Sequence, residues 1–131
     1  MDGKAPASLA KRNRSLPRWA LPVLLAVILM VLGSLRWAWF MLEEDMISAA
    51  AVGNAERVQT LLSLHVDPNA TTEDGSSALL FAAGNSRTKV VELLLAHGAD
   101  PLLRNHDGES PLDVAQESEI KNILTAALSK R

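Results

Sequence analysis

The chain has 131 residues, which leaves room for one small domain at most. It contains no cysteine, so disulfide bridges and thiolate chemistry are excluded. The net charge is −2, but the charges are distributed unevenly along the chain, because residues after 42 include fourteen acidic and seven basic ones. A domain with this acidic balance repels phosphate, which argues against nucleic acid as its ligand.

The N-terminal segment 1–18 is basic and has no apolar period, so we predict a disordered tail. Its bases are Lys4, Lys11, Arg12, Arg14 and Arg18, opposed only by Asp2. Residues 19–41 then form an apolar run with tryptophans at both ends. Such a run, at about 1.5 Å per residue, covers the roughly 30 Å of a hydrocarbon core. The sequence therefore predicts one N-terminal transmembrane helix, which contacts the lipid bilayer.

A cleavable signal peptide is the main alternative for this run. It needs small residues soon after the apolar segment, and the nearest, Ser48 to Ala51, lie beyond three acidic residues and inside a predicted repeat helix. We therefore favour an uncleaved signal anchor. The bases before the span predict a cytoplasmic N-terminus and a domain on the other side of the membrane. The span has small residues but no G-x-x-x-G, so it makes no clear prediction of a homo-oligomer.

No proline or glycine occurs between Gly33 and Gly53, and most residues in that interval favour helix. The apolar helix is therefore predicted to continue almost directly into the domain, with at most a short break near residues 43–45. A stiff connection of this kind predicts a domain held close to the bilayer.

The remainder of the chain repeats itself at an offset of 33 residues. Asp67-Pro68 recurs as Asp100-Pro101, and Asp74-Gly75 recurs as Asp107-Gly108. A period of this size predicts stacked units, none of which can bury its own apolar face.

The central unit reads as two short helices joined by a turn at residues 84–86. Ser77 is a predicted cap for the first helix, and Thr88 opens the second. Gly98 fits the left-handed position after the second helix. The third unit starts in the same way, with Ser110 at the cap and Pro111 at the first helical position. Its second helix has two possible registers, because either Ile120 or Ile123 can take the place of Val90.

The stretches DGSSALLFAAGNSRTKVVELLLAHGADP and DGESPLDVA resemble ankyrin repeats, whose pattern is G-x-T-P-L-H-x-A-A followed by V-V-x-L-L-x-x-G-A-D-P. Ser77-Ala78 replaces Thr-Pro, and Leu80 and Asp113 replace the usual His, so the hydroxyl–imidazole bond of the family is missing. The resemblance covers roughly residues 43–130 and implies an all-α solenoid with β-turn fingers. We divide it into a capping half (43–66), a full repeat (67–99) and a shortened repeat (100–130). The whole chain is similar to small membrane-anchored bacterial ankyrin-repeat proteins.

No residue pattern predicts catalysis, a metal or a cofactor. His65, His97 and His106 lack metal-ligand spacing. Ser110, Asp113 and His106 are close in sequence, but Ser110 is better explained as a helix cap than as part of a triad. Asn69-Ala70-Thr71 is a formal glycosylation sequon. We therefore predict a protein that is not an enzyme.

The resemblance implies that a partner protein contacts the finger tips and the exposed side of the first helices. Carried over position by position, this surface comprises Glu73, Asp74, Ser76, Leu80, Gly84, Asn85, His106, Asp107, Glu109, Asp113 and Gln116. It is acidic, so a basic patch is its natural complement.

The sequence thus predicts a membrane-tethered protein-binding module, without catalysis. The predicted setting is the bacterial inner membrane, with the domain in the periplasm. The role is that of an immunity or inhibitor protein, or of a helper to an envelope enzyme. The alternative is a structural adaptor of opposite topology, whose cytosolic domain scaffolds a membrane complex.

Overall fold

The computed structural model describes Gly3 and residues 17–130. Within these residues the secondary structure is helical, apart from an isolated bridge between Thr71 and Ser77. Six helices follow in chain order, namely α1 (Ala20–Val52), α2 (Ala55–Ser63), α3 (Ala78–Gly84), α4 (Thr88–Ala96), α5 (Pro111–Val114) and α6 (Ser118–Ser129). The predicted all-α class is confirmed. The predicted tail, 1–18, lies outside the described residues except for Gly3, Pro17 and Arg18.

The chain divides into two compact units between Leu35 and Arg36. The first contains the apolar beginning of α1, whose side chains are exposed. The Ser34 hydroxyl donates to the Met30 carbonyl oxygen at 2.9 Å, so it is satisfied within the helix. Among the described helices, α1 is the one long and apolar enough to cross a bilayer, a property that secretion signals near an N-terminus share.

The second unit buries one continuous core built from the end of α1 and from helices α2 to α6. The helix α1 is unbroken through residues 43–45 and ends in this core, where Met46 and Ala50 are fully buried. Helix α4 packs against both α2 and α6, which are the second helices of their units. Helix α3 packs against α5, and these are first helices. The first helices therefore stack on first helices and the second on second helices. Three buried alanines of α3, namely Ala78, Ala82 and Ala83, permit its close packing against the neighbouring helices.

The central pair of helices has the predicted boundaries. The Ser77 hydroxyl accepts a hydrogen bond from the Leu80 N–H at 3.2 Å, which caps α3. Thr88 begins α4, which buries Val90, Val91 and Leu94. In the intervening turn the left-handed residue is Ser86, with φ of 56°. These local predictions are confirmed.

The structure decides the register of the last helix. Ser118 begins α6 and follows Thr88, the start of α4, by 30 residues rather than 33. The deficit arises in the first helix, since α5 has four residues where α3 has seven. At the 30-residue offset Val90 corresponds to Ile120, which is 0% exposed. Ile120, not Ile123, therefore takes the place of Val90.

The second helices α2 and α4 end in the same backbone arrangement with different residues. Gly98 follows α4 with φ of 89°, and His65 stands at the equivalent place after α2 with φ of 62°. Each donates its N–H to the carbonyl three residues earlier, His65 to Leu62 at 3.0 Å and Gly98 to Leu95 at 3.2 Å. A side chain in this region is strained by about 1–2 kcal/mol, whereas glycine is not.

Replacing His65 with glycine is therefore expected to raise the free energy of unfolding by about 0.5–1 kcal/mol, the relief of strain less the extra entropy of an unfolded glycine. The reciprocal Gly98→His variant is the matched control and is expected to lower it by about 1 kcal/mol. Urea unfolding of the full chain in detergent micelles, followed by circular dichroism, measures both. A loss of stability in His65→Gly contradicts the strain explanation.

Candidate protein-binding surface

The first finger is a tight hairpin in the connection between α2 and α3, and its turn comprises residues 72–76. The Thr72 N–H donates to the Ser76 carbonyl at 3.0 Å, and the Ser76 N–H donates to the Thr72 hydroxyl at 3.2 Å. Gly75 turns the chain with φ of 79°. The finger is thus closed by its own hydrogen bonds.

The Asp74 carboxylate stabilises this hairpin. It accepts hydrogen bonds from the Thr72 hydroxyl and from the Ser76 hydroxyl, the latter at 2.9 Å. These two bonds hold the pKa of the Asp74 carboxyl below its ordinary value of 3.8. Asp74 is therefore an anion at neutral pH, and part of its hydrogen-bonding capacity serves the fold.

The second finger, residues 104–109, is closed by a different side chain. The Asn105 side-chain oxygen accepts from the Glu109 N–H at 2.9 Å, while its amide nitrogen donates to the Glu109 carboxylate at 3.2 Å. Gly108 turns this finger with φ of 79°, the same value as Gly75. The Arg104 guanidinium donates to the Gly108 carbonyl and braces the turn.

The two fingers lie side by side. The His106 N–H donates to the Asp74 carbonyl oxygen at 2.9 Å. A Cβ built on Gly75 lies 3.1 Å from the His106 ring and 3.3 Å from the Asn105 Cα. The tip of the first finger therefore rests on the backbone of the second.

Asp113 belongs to a capping box at the start of α5. Its carboxylate accepts from the Ser110 hydroxyl at 2.7 Å, the Ser110 N–H at 2.9 Å and the Arg104 guanidinium at 2.9 Å. The Ser110 bonds, followed by Arg104, hold the pKa of the Asp113 carboxyl below its ordinary value of 3.8. Asp113 therefore joins the second finger, through Arg104, to the start of α5.

Most of the eleven predicted contact residues reach solvent. The exposed ones are Glu73, Asp74, Asn85, His106, Asp107, Glu109, Asp113 and Gln116, and Gly84 is half-buried. Two of the eleven are buried, Ser76 with 3% and Leu80 with 8% of its surface exposed. Ser76 is enclosed by its own hairpin, and Leu80 lies on a helix that buries five of its seven residues.

The structure does not assemble the triad considered above. The Ser110 hydroxyl bonds directly to the Asp113 carboxylate with no imidazole between them, whereas a triad requires histidine in that place. The His97 ring nitrogen lies 2.9 Å from the Leu93 carbonyl oxygen, at the end of α4. In the part of the chain that the structure describes, no three His, Asp or Glu side chains are grouped as metal ligands.

Two side chains link neighbouring units, a role that the sequence analysis did not assign to them. The Asn69 amide oxygen accepts from the Asp100 N–H at 2.7 Å, and its nitrogen donates to the Gly98 carbonyl at 3.3 Å. The Arg87 guanidinium donates to the Ala51 carbonyl at 3.3 Å, near the end of α1. All three bonds satisfy backbone groups that the ends of helices or turns leave unpaired.

The sequence contains one hint of this role. Asn69 directly follows the repeated Asp-Pro, but the residue at the 33-residue offset is Leu102, so the amide is specific to this unit. Leu102 is exposed and has no side-chain amide that could form the same link. Since both ends of the Asn69 amide are used, its glycosylation would break the link between the two units.

Comparison with known proteins agrees with this architecture. A family model described as ankyrin repeats in three copies matches residues 46–130. The chain belongs to the ankyrin-repeat family. Ankyrin repeats are generally non-catalytic and bind other proteins, so this domain is a protein–protein interaction module.

Its ankyrin-repeat relatives are much larger proteins. The chain is 40% identical over 85 residues to mouse oxysterol-binding protein-related protein 1, covering 63% of this chain and 9% of that protein. It is 42% identical over 82 residues to the E3 ubiquitin-protein ligase hecd-1 of Caenorhabditis elegans, covering 58% and 3%. Identity to human ankyrin repeat domain-containing protein 40 is 34% over 83 residues, covering 63% and 23%. The chain thus spans less than a quarter of each.

Proposed function

We propose that this protein is a non-catalytic, membrane-tethered module that binds a basic patch on a partner protein through its two adjacent fingers. The observation that carries the proposal is the hydrogen bond from the His106 N–H to the Asp74 carbonyl, at 2.9 Å. It places two prefolded acidic tips next to each other, so little conformational entropy is lost when a partner binds.

The charges of the finger surface favour a basic partner. Glu73 and Asp107 are exposed, and their carboxylates form no hydrogen bond or ion pair with another described residue. Asp74 and Asp113 carry negative charge but are engaged with the fold. We infer that Glu73 and Asp107 contact the partner's Lys or Arg side chains, while Asp74 and Asp113 hold the fingers in position.

The tether we propose is the apolar beginning of α1, acting as a signal anchor at residues 19–41. Five bases precede it, and the positive-inside rule then places the domain across the membrane from the N-terminus. Alkaline phosphatase fused after Arg131 is expected to be active in a bacterial host. An inactive phosphatase together with a fluorescent cytoplasmic fusion at the same point supports the cytosolic adaptor instead.

We propose the bacterial inner membrane as the setting, with the domain in the periplasm. The lack of cysteine and the proposed N-in anchor support this setting, although the relatives named above are animal proteins. In that compartment the module acts as an immunity or inhibitor protein that masks a toxin or enzyme, or as a helper of an envelope enzyme.

The binding surface is tested by photo-crosslinking from the full chain in its native membranes. A photoreactive residue at position 73 or 107 is expected to give one discrete protein adduct, while the exposed positions 59 and 63 on α2 give none. Glu73→Lys combined with Asp107→Lys is expected to reduce that adduct at least tenfold, roughly the effect of reversing two charge contacts, whereas Glu56→Lys on α2 leaves it unchanged. Equal adducts from both faces contradict the finger surface.

A further inference from the structure

An open groove of about 530 Å³ runs between α4 and α6, on the stack of second helices. Five apolar residues line it, namely Leu95, Ala96, Ile123, Ala126 and Ala127. The corresponding groove between α2 and α4 is about 240 Å³. Three of the five apolar residues are alanines, and this leaves a depression wide enough to admit side chains from another helix.

Two opposite charges complete the lining of this groove. Glu92 comes from α4 and Lys130 from the residue that follows α6. Both are exposed, and neither forms an ion pair with another described residue. The groove therefore carries one carboxylate and one ammonium group without an ion-pair partner. The carboxylate of one copy can pair with the ammonium group of a second copy, whereas the two charges together favour neither an acidic nor a basic partner.

The register of the repeats places these charges symmetrically. Because α4 and α6 are equivalent helices offset by 30 residues, Glu92 lies at the height of position 122 of α6. Position 122 and Lys130 each lie four residues from Ala126 along the chain (126 − 122 and 130 − 126), and Ala126 is a small residue that lines the groove. A two-fold axis at Ala126 thus brings Lys130 of one copy opposite Glu92 of the other, twice.

We propose that the α4–α6 groove is a homodimer interface in which α6 of a second copy of this chain packs antiparallel, with the axis at Ala126. Isologous contacts require a self-complementary surface, and the paired acid and base supply it. The alanines allow the two α6 helices to approach closely, while Leu95 and Ile123 of each copy fill the depression. This interface leaves the fingers free, so it is independent of the proposed partner binding.

Because the chain has no cysteine, single-cysteine variants test the proposal without background. Ala126→Cys in the full chain, in detergent micelles under mild oxidant, is expected to form a disulfide-linked dimer, since residues on the axis come within the roughly 4.4–6.8 Å that a disulfide spans between Cα atoms. Lys121→Cys, on another face of α6, is the control and is expected to stay monomeric. Equal yields from both cysteines, no dimer, or an adduct only with another protein each overturn the proposal.

Charge exchange provides a second test that leaves Ala126 intact. Glu92→Lys and Lys130→Glu each turn two attractions into two repulsions and are expected to raise the dimer dissociation constant about tenfold. The double variant Glu92→Lys, Lys130→Glu is expected to return it to within about threefold of the original, because both pairs are restored in reverse. Sedimentation in micelles measures the dissociation constant. If the dissociation constant is the same in all three variants, the dimer forms through the apolar helix α1 instead, and the proposal fails.

Discussion

Replacing Ile120 with alanine is expected to lower the free energy of unfolding of the repeat domain by about 3 kcal/mol, within the range of roughly 2–5 kcal/mol found for buried Ile→Ala changes. Ile120 is 0% exposed and lies in the core that joins α6 to the rest of the stack. With about three units the domain is near the minimum for a stable stack, so this loss is a large share of its stability. Urea unfolding by circular dichroism measures it.

Ile123→Ala is the matched control for that prediction. Ile123 is only partly buried against the core and borders the α4–α6 groove, so its loss is expected to cost about 1 kcal/mol. Both variants are compared at a protein concentration low enough to avoid association. A larger effect for Ile123 than for Ile120 contradicts the 30-residue register of the last helix.

Replacing Gly75 with alanine is expected to lower the free energy of unfolding by about 2–4 kcal/mol, because strain of the left-handed backbone is added to a clash between fingers. The new Cβ lies 3.1 Å from the His106 ring and 3.3 Å from the Asn105 Cα. The second of these neighbours is backbone and cannot turn aside. The bond from the His106 N–H to the Asp74 carbonyl is then lengthened, and the alignment of the two fingers is lost.

Gly108→Ala separates the two contributions. Gly108 has the same φ of 79°, but a Cβ there meets no atom within 4 Å among the described residues. Its substitution is expected to cost only the backbone strain, about 1–2 kcal/mol. The difference between the two variants in urea unfolding measures the contact between fingers. Equal losses show that the fingers do not support each other.

If the fingers are the binding surface, Gly75→Ala also weakens partner binding more than Gly108→Ala does. Gly75 lies at the contact between the fingers, whereas Gly108 lies at the turn of the second finger alone. The effect does not require either residue to touch the partner. It arises because a prefolded pair of acidic tips loses less entropy on binding than two independent loops.

The local features of the repeats followed from the sequence because short-range chemistry specifies them. A serine three residues before a helical N–H caps it, as Ser77 does for Leu80, and glycine after a helix adopts the left-handed conformation, as Gly98 does. The 33-residue period followed in the same way, since it reflects identical local structures placed one after another. The apolar N-terminal helix needed only length and composition.

The tertiary structure decided what depends on contacts between residues far apart in the chain. Ser76 and Leu80 are among the contact residues that the resemblance implies, yet both are buried. Burial is set by what packs over a residue, and the pattern does not contain that information. The three-residue deletion in α5 likewise left Ile120 and Ile123 equivalent by periodicity until the core selected one.

The sequence alone therefore predicts the helical stack, its caps and turns, the acidic balance of the domain and the apolar N-terminal helix. All of these are local or additive properties of the residues. The pairing of the two fingers, the link from Asn69 to the next unit and the groove between α4 and α6 come only from the packed chain. Each of these joins residues some thirty positions apart, and only the stacking of one unit on the next brings such residues within reach.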